Sequence, residues 1–175
     1  PLASLNAVGW AAKEAVSRDA VLRLIHVTTR DVGTADVDPV LIRAERTAVD
    51  AARSVRVEVI SAHGTPGAVL LRESEHAAMV CIGSRHRSQP NDSTPISPIG
   101  RALAESAHCP IAIIRTRRDG TPQTDGVISV VLSDEAGNDD VVHLAMHEGR
   151  LRGRAVRQID RRADSWVRRF PDVRV

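Results

Sequence analysis

Between residues 20 and 115, four apolar strand-like runs alternate with stretches of helical spacing, and that alternation leaves few folds open. The most constraining run is 77–83, AAMVCIG, continuous in apolar character and closed by glycine. A strand wetted on one face alternates apolar and polar residues, whereas an unbroken run belongs to a strand covered on both faces. Upstream, Leu5, Val8, Ala11, Ala12, Ala15 and Val16 recur at helical spacing over 3–18, and 20–27 (AVLRLIHV) alternates as a strand. Asp38 and Pro39 open a helix over 38–53, the first as cap and the second as a residue with no N–H to lose. A strand follows at 55–61, then a turn marked by Gly64, Pro66 and Gly67, and a helix near 66–77. A polar loop runs from 84 to 96. Ser97 and Pro98 start a helix reaching about His108, and 109–115 (CPIAIIR) is the last strand of this set. Helix and strand alternating at these lengths imply right-handed crossovers. The strands 20–27, 55–61, 77–83 and 109–115 are therefore expected to lie parallel in one sheet with helices on both faces.

The pattern then begins again. A charged stretch with Gly and Pro leads to a strand at 128–132 (ISVVL) and a helix at 138–151. Residues 5–26 laid over 139–160 give six identities in 22 positions without a gap: Val8/Val142, Ala11/Ala145, Glu14/Glu148, Arg18/Arg152, Arg23/Arg157 and Ile25/Ile159. Unbroken register of that kind argues for a tandem repeat. The expected division is a first domain over 1–117, a linker over 118–127 and the beginning of a second copy over 128–175. The second copy has a strand before its helix that the first lacks. DVRV at 172–175 echoes SVRV at 54–57 with sixteen residues fewer between. Two readings follow: a fragment with residues absent before Pro1, between Asp160 and Trp166 and after Val175, or a shortened relative. A central parallel strand cannot be omitted without leaving backbone groups unpaired, which favours the first. Otherwise 128–132 is the candidate to fill the central slot of the first sheet.

Trp10, Trp166 and Phe170 are the only aromatic residues, so the core is built from Val, Ile, Leu and Ala. Residues 149–175 carry nine Arg against three Asp, but no nucleic-acid motif or interleaved aromatic residue accompanies them, and a solvated face is the expectation. Cys81 and Cys109 do not make a disulfide framework, and no run approaches a membrane span. A cytoplasmic protein with neither membrane nor nucleic-acid partner is expected. His143 and His147, four apart on one helix face, have metal-ligand spacing but no evident third ligand, so no metal is expected. GxxxxGK[ST], GxGxxG and GxSxG are absent, and no enzymatic activity is expected.

The stretches SLNAVGWAAKEAVSRDAVLRLIHV (4–27), VCIGSRHR (80–87) and GRALAESAHCPIAIIR (100–115), with VVHLAMHEGRLRGRAV (141–156) and WVRRFPDVRV (166–175), resemble the universal stress proteins, particularly the tandem-domain actinobacterial type. That resemblance implies a doubly wound parallel α/β sheet of the adenine-nucleotide α-hydrolase-like class. It also implies a homodimer or paired domains, and ATP bound at the carboxyl ends of the strands.

A strand ending in glycine lets backbone amides approach a phosphate, and a following helix start adds a positive dipole. Gly83 and the helix opening at Ser97–Pro98 supply these elements. The family motif has Gly, two residues, Gly, nine residues, then Gly and Ser or Thr. Here His86 stands at the second Gly, ten residues follow, and Ser97–Pro98 stands for Gly–Ser. His86 adds bulk to the loop and Pro98 deletes a donor, so ATP binding by the first domain is expected to be weak or absent. Val27 and Ile82 match the adenine side in type. The cofactor-binding set is therefore Val27, Ile82, Gly83, Ser84, Arg85, His86, Ser97, Pro98 and Ile99. Ser97 serves equally as a helix cap, and Arg85 and His86 equally as solvated loop residues. The function expected is a non-enzymatic, nucleotide-linked stress-response regulator with a degenerate phosphate loop. The alternative is an interaction or dimerisation module that has lost the nucleotide.

Overall fold

The computed structural model describes residues 2–28, 38–85, 96–123, 125–133 and 136–160. They fall into two compact units, Pro1–Thr124 and Asp125–Val175. The first unit runs α1 (Leu2–Ser17), β1 (Val21–Thr28), α2 (Pro39–Ala51), β2 (Arg56–His63), α3 (Pro66–Ser74), β3 (Val80–Arg85), α4 (Pro98–Ser106) and β4 (Ile111–Thr116). The second runs β5 (Ile128–Leu132), α5 (Asn138–Arg152) and β6 (Val156–Asp160).

Local chemistry sets the helix starts. The Asp38 carboxylate accepts the Val40 amide at 2.8 Å, and Ser97 Oγ accepts the Gly100 amide at 3.1 Å, each just before a proline in the first turn. At the other end of α5, Gly153 takes a left-handed conformation at φ 59°, where a side chain would be strained.

Every ladder is parallel, as the alternation requires. β1 pairs with β2, β3 with β4 and β5 with β6, so each ladder is a strand, its following helix and the next strand. The expectation of a single four-stranded sheet in the first unit is corrected: β1–β2 and β3–β4 are separate two-stranded ladders. In the second unit β6 pairs with the strand preceding α5, while among the described residues of the first unit β1 pairs with β2 alone. Residues 128–132 form β5, which hydrogen-bonds to β6 within the second unit. β3 also begins and ends later than 77–83. Glu75 and His76 close a turn after α3, and Ser84 and Arg85 still pair with Arg115 and Thr116.

Helices cover both faces of the first unit. Leu22, Leu24 and Val57 turn to one face and pack with Leu5 and Val8 of α1 and Leu41 and Ala44 of α2. Arg23, between the two leucines, turns to the other, where Arg23 Nη2 meets Glu73 Oε2 of α3 at 2.8 Å. α4 packs against α3 on that side. In the second unit, Ile128, Val130, Leu132 and Val156 pack against Val142 and Ala145 of α5. The six identities at offset 134 thus fall on corresponding elements. Glu14–Arg18 and Glu148–Arg152 even form the same one-turn ion pair, at 2.5 and 2.7 Å.

Candidate functional site

The expected nucleotide residues occupy the carboxyl ends of β1 and β3 and the start of α4. His86 lies outside the described residues. Arg85 is the last residue of β3, its backbone paired with Thr116. Val27 pairs with Ala62 and, by the strand pleat, shares with Arg23 the face covered by α3. On β3, Ile82 faces α4: a methyl group added at Gly100 would lie 3.4 Å from Ile82 Cδ1, 3.3 Å from Ser97 Oγ and 2.8 Å from Ile96 Cγ2. Ile82, Ile96, Ser97 and Gly100 therefore form one contact set. Val27 turns to the same side of the fold but belongs to the other ladder. Ser84 is buried, while Ser97, Pro98 and Ile99 are exposed at the mouth of α4.

Gly83 points the opposite way, onto the first turn of α1. A side chain there would run into the Ala3 carbonyl and lie 2.7 Å from the Ser4 nitrogen. Two further contacts fasten this turn. Asn6 Nδ2 donates to Thr116 Oγ1 at 2.9 Å and to the Gly120 carbonyl at 3.0 Å. Gly120, at φ +88°, leaves room for Leu2. The absence of a side chain at Gly83 is thus used by close helix–strand packing. The sequence reading missed Asn6, Thr116 and Gly120 because their contacts span more than a hundred residues. Gly100 did carry a signal, since a glycine inside a helix marks a close neighbour.

The first turn of α4 has few donors left. Pro98 has no N–H, Gly100 donates to Ser97 Oγ, and Arg101 donates to the Ser97 carbonyl at 2.9 Å. Ile99 is the remaining first-turn amide. Ser97 is accordingly engaged as a cap.

Beside Val27, His26 Nδ1 lies 2.5 Å from Asp38 Oδ2, tying the end of β1 to the cap of α2. The hydrogen bond to His26 holds the Asp38 carboxyl below the usual carboxylate range, against a smaller opposing effect of burial. A depressed folded-state pKa stabilises the fold above the unfolded value and is lost as pH falls through the folded value. Asp38→Ala is therefore expected to cost about 1 kcal/mol near neutrality. Its difference from wild type should shrink below about pH 3.9, the ordinary aspartate value. Urea unfolding of both chains from pH 6 to pH 3 checks this; a gap that widens with acid would refute it.

Parallel strands wound with helices on both faces, and a capped helix start at their carboxyl edge, define an α/β protein of the adenine-nucleotide α-hydrolase-like fold. A universal stress protein crystallised in complex with cAMP shares that fold, with a TM-score of 0.53 at 18% identity over 67% of this chain and 90% of its own. The chain belongs to the universal stress protein family, whose model matches residues 1–115. Universal stress protein Rv2624c of Mycobacterium tuberculosis is 34% identical over 200 positions, covering 99% of this chain and 72% of the relative. Rv2028c of the same organism is 33% identical over 205, covering 98% and 72%. Both alignments are longer than the 175 residues present, so these relatives contain positions with no counterpart here. Among the described residues no helix is long and apolar enough to cross a membrane.

Proposed function

We propose that this protein is a non-enzymatic, nucleotide-linked stress-response regulator whose first unit holds the base of an adenine nucleotide and grips its phosphates poorly. The observation that carries this reading is the first turn of α4. A phosphate arriving there finds one uncommitted amide, with Pro98 mute and the Gly100 amide capped by Ser97. Each absent donor costs on the order of 1 kcal/mol, and about 1.4 kcal/mol is tenfold in affinity. Gly83, turned onto Ala3, adds no open cradle on its side-chain face. Val27 and Ile82 supply the apolar surface for the base, and Arg85 and His86 are assigned to the phosphates on the sequence alone. A neighbour of the same fold crystallised with cAMP supports an adenine ligand. The same reading takes 1–117 as one domain and 128–175 as the start of a second, joined by 118–127, in a cytoplasmic protein that pairs its domains or forms a homodimer.

Calorimetric titration with ATP and with cAMP tests the reading. ATP is expected to bind with a dissociation constant on the order of a millimolar, within about threefold of cAMP, because the extra phosphates find few donors. Low-micromolar ATP binding, tenfold or more tighter than cAMP, would overturn the weak phosphate grip. Binding of neither ligand would favour an interaction module that has lost the nucleotide.

A further inference from the structure

The residues after β4 form an ordered turn that folds back on that strand. The Arg117 amide donates to the Thr121 carbonyl at 2.8 Å and the Gly120 amide to the Arg117 carbonyl at 3.0 Å. The Gln123 amide donates to the Arg115 carbonyl at 2.7 Å, and Pro122 bridges antiparallel to Thr116. Inside the turn, Asp119 Oδ1 accepts both the amide and the hydroxyl of Thr121, at 2.9 and 2.7 Å. Asn6 fastens the turn to α1, its Nδ2 donating to Thr116 Oγ1 and to the Gly120 carbonyl. Thr116 is buried, whereas Arg117 and Arg118 stand exposed. An exposed turn held by a few hydrogen bonds opens locally at less cost than the core.

The end of β3 belongs to the same set of contacts. Ser84 and Arg85 pair with Arg115 and Thr116. Gly83 lies against Ala3 and Ser4, three and two residues before Asn6. Ile82 faces the other way, toward Ser97 and Gly100. Residues 82–85 are thus shared between the candidate nucleotide site and the turn. When the turn opens, Thr116 and the start of α1 lose their common hydrogen bond, and the end of β3 is held less firmly. A ligand resting on Ile82 needs that end in place, so it binds the closed form better.

We infer that Asn6 and the 116–123 turn form a latch that an adenine nucleotide holds shut, so that occupancy of the site is carried to the segment leaving the first unit. This inference rests on the nucleotide reading above. A ligand that binds only the closed form lowers the open fraction by 1 + [L]/Kd, whatever the stability of the latch itself.

Tryptic cleavage after Arg117 and Arg118 measures the open fraction, because a protease must extend the turn to cut it. Arg53, exposed in the turn between α2 and β2, is the internal control. Mass spectrometry of the full 175-residue chain follows both places. The probe is cAMP, its dissociation constant first measured by calorimetry. At ten times that constant, cleavage at 117–118 is expected to slow at least threefold and to approach about elevenfold, with Arg53 unaffected. Without ligand, Asn6→Ala should speed cleavage at 117–118 at least fivefold and leave Arg53 unchanged. Asn6→Asp, which keeps the shape and removes both donors, should do the same. Binding of cAMP with unchanged cleavage at 117–118 overturns the latch and leaves the nucleotide reading standing. Equal acceleration at 117–118 and Arg53 in both variants overturns it too, since Asn6 would then hold the whole unit. If cAMP does not bind, the latch falls together with the reading it rests on.

Discussion

Gly83→Ala is expected to lower the stability of the first unit by about 3 kcal/mol, at the upper end of what overpacking by small groups costs. The added methyl group meets the Ala3 carbonyl and the Ser4 nitrogen, which are backbone atoms of a helix and cannot swing aside as a side-chain tip can. α1 must move as a body. That movement strains Asn6, whose amide bridges Thr116 and Gly120, and disturbs Leu5 and Val8 in the core shared with α2. Gly67→Ala is the matched control. No atom lies within 4 Å of its added methyl group, and alanine in a helix should be neutral or stabilising by up to about 1 kcal/mol. Urea unfolding followed by circular dichroism separates the two. A Gly83→Ala chain as stable as wild type would show that α1 does not rest on β3.

The second large effect is at Leu103. It is fully buried, the largest side chain so buried among the described residues. Leu103→Ala should cost about 3–5 kcal/mol from lost transfer energy and the cavity left behind. α4 has nine residues, too few for a stable helix without tertiary packing, and Leu103 is its one large buried side chain. Loosening α4 also releases Ser97, Gly100 and their contact with Ile82, so whatever nucleotide binding the chain has should fall with its stability. Leu103→Met keeps the volume and should cost less than about 1.5 kcal/mol. A loss under about 1 kcal/mol for Leu103→Ala would mean that α4 is held by something other than its apolar face.

The strands and helix starts were legible because each rests on local chemistry. AVLRLIHV and CPIAIIR alternate or run apolar within one element, and Asp38–Pro39 and Ser97–Pro98 announce their caps within two residues. The ladder break was legible only in part. The repeat showed a strand before the second helix with no counterpart in the first copy. Which strands share hydrogen bonds, however, depends on neighbours far apart in the chain, and no local pattern in 20–27 or 77–83 reports it. For the candidate residues the sequence reported the element each lies on but not the way each faces. The sequence placed Gly83 and Ile82 together at a strand end, yet adjacent strand residues face opposite sides, and only the fold shows Ile82 under α4 and Gly83 under α1. His26 and Asp38 lay hidden for a related reason: neither resembles a motif, and their pairing follows from the turn of the chain between β1 and α2.

Each ladder closes on the next strand in the chain, pairing residue 21 with 56, 80 with 111 and 128 with 156. This arrangement bears on synthesis. A ribosome adds roughly 5–20 residues per second, so a newly emerged strand waits only a few seconds for its partner. Loops of that length cost little more to close than shorter ones. β2 is made before β3, and β4 before β5, so among the described strands only one at a time awaits its ladder partner. Unmated strand edges are what nascent chains use to stick to one another. The order in which this chain leaves the ribosome therefore limits how many such edges it presents at once.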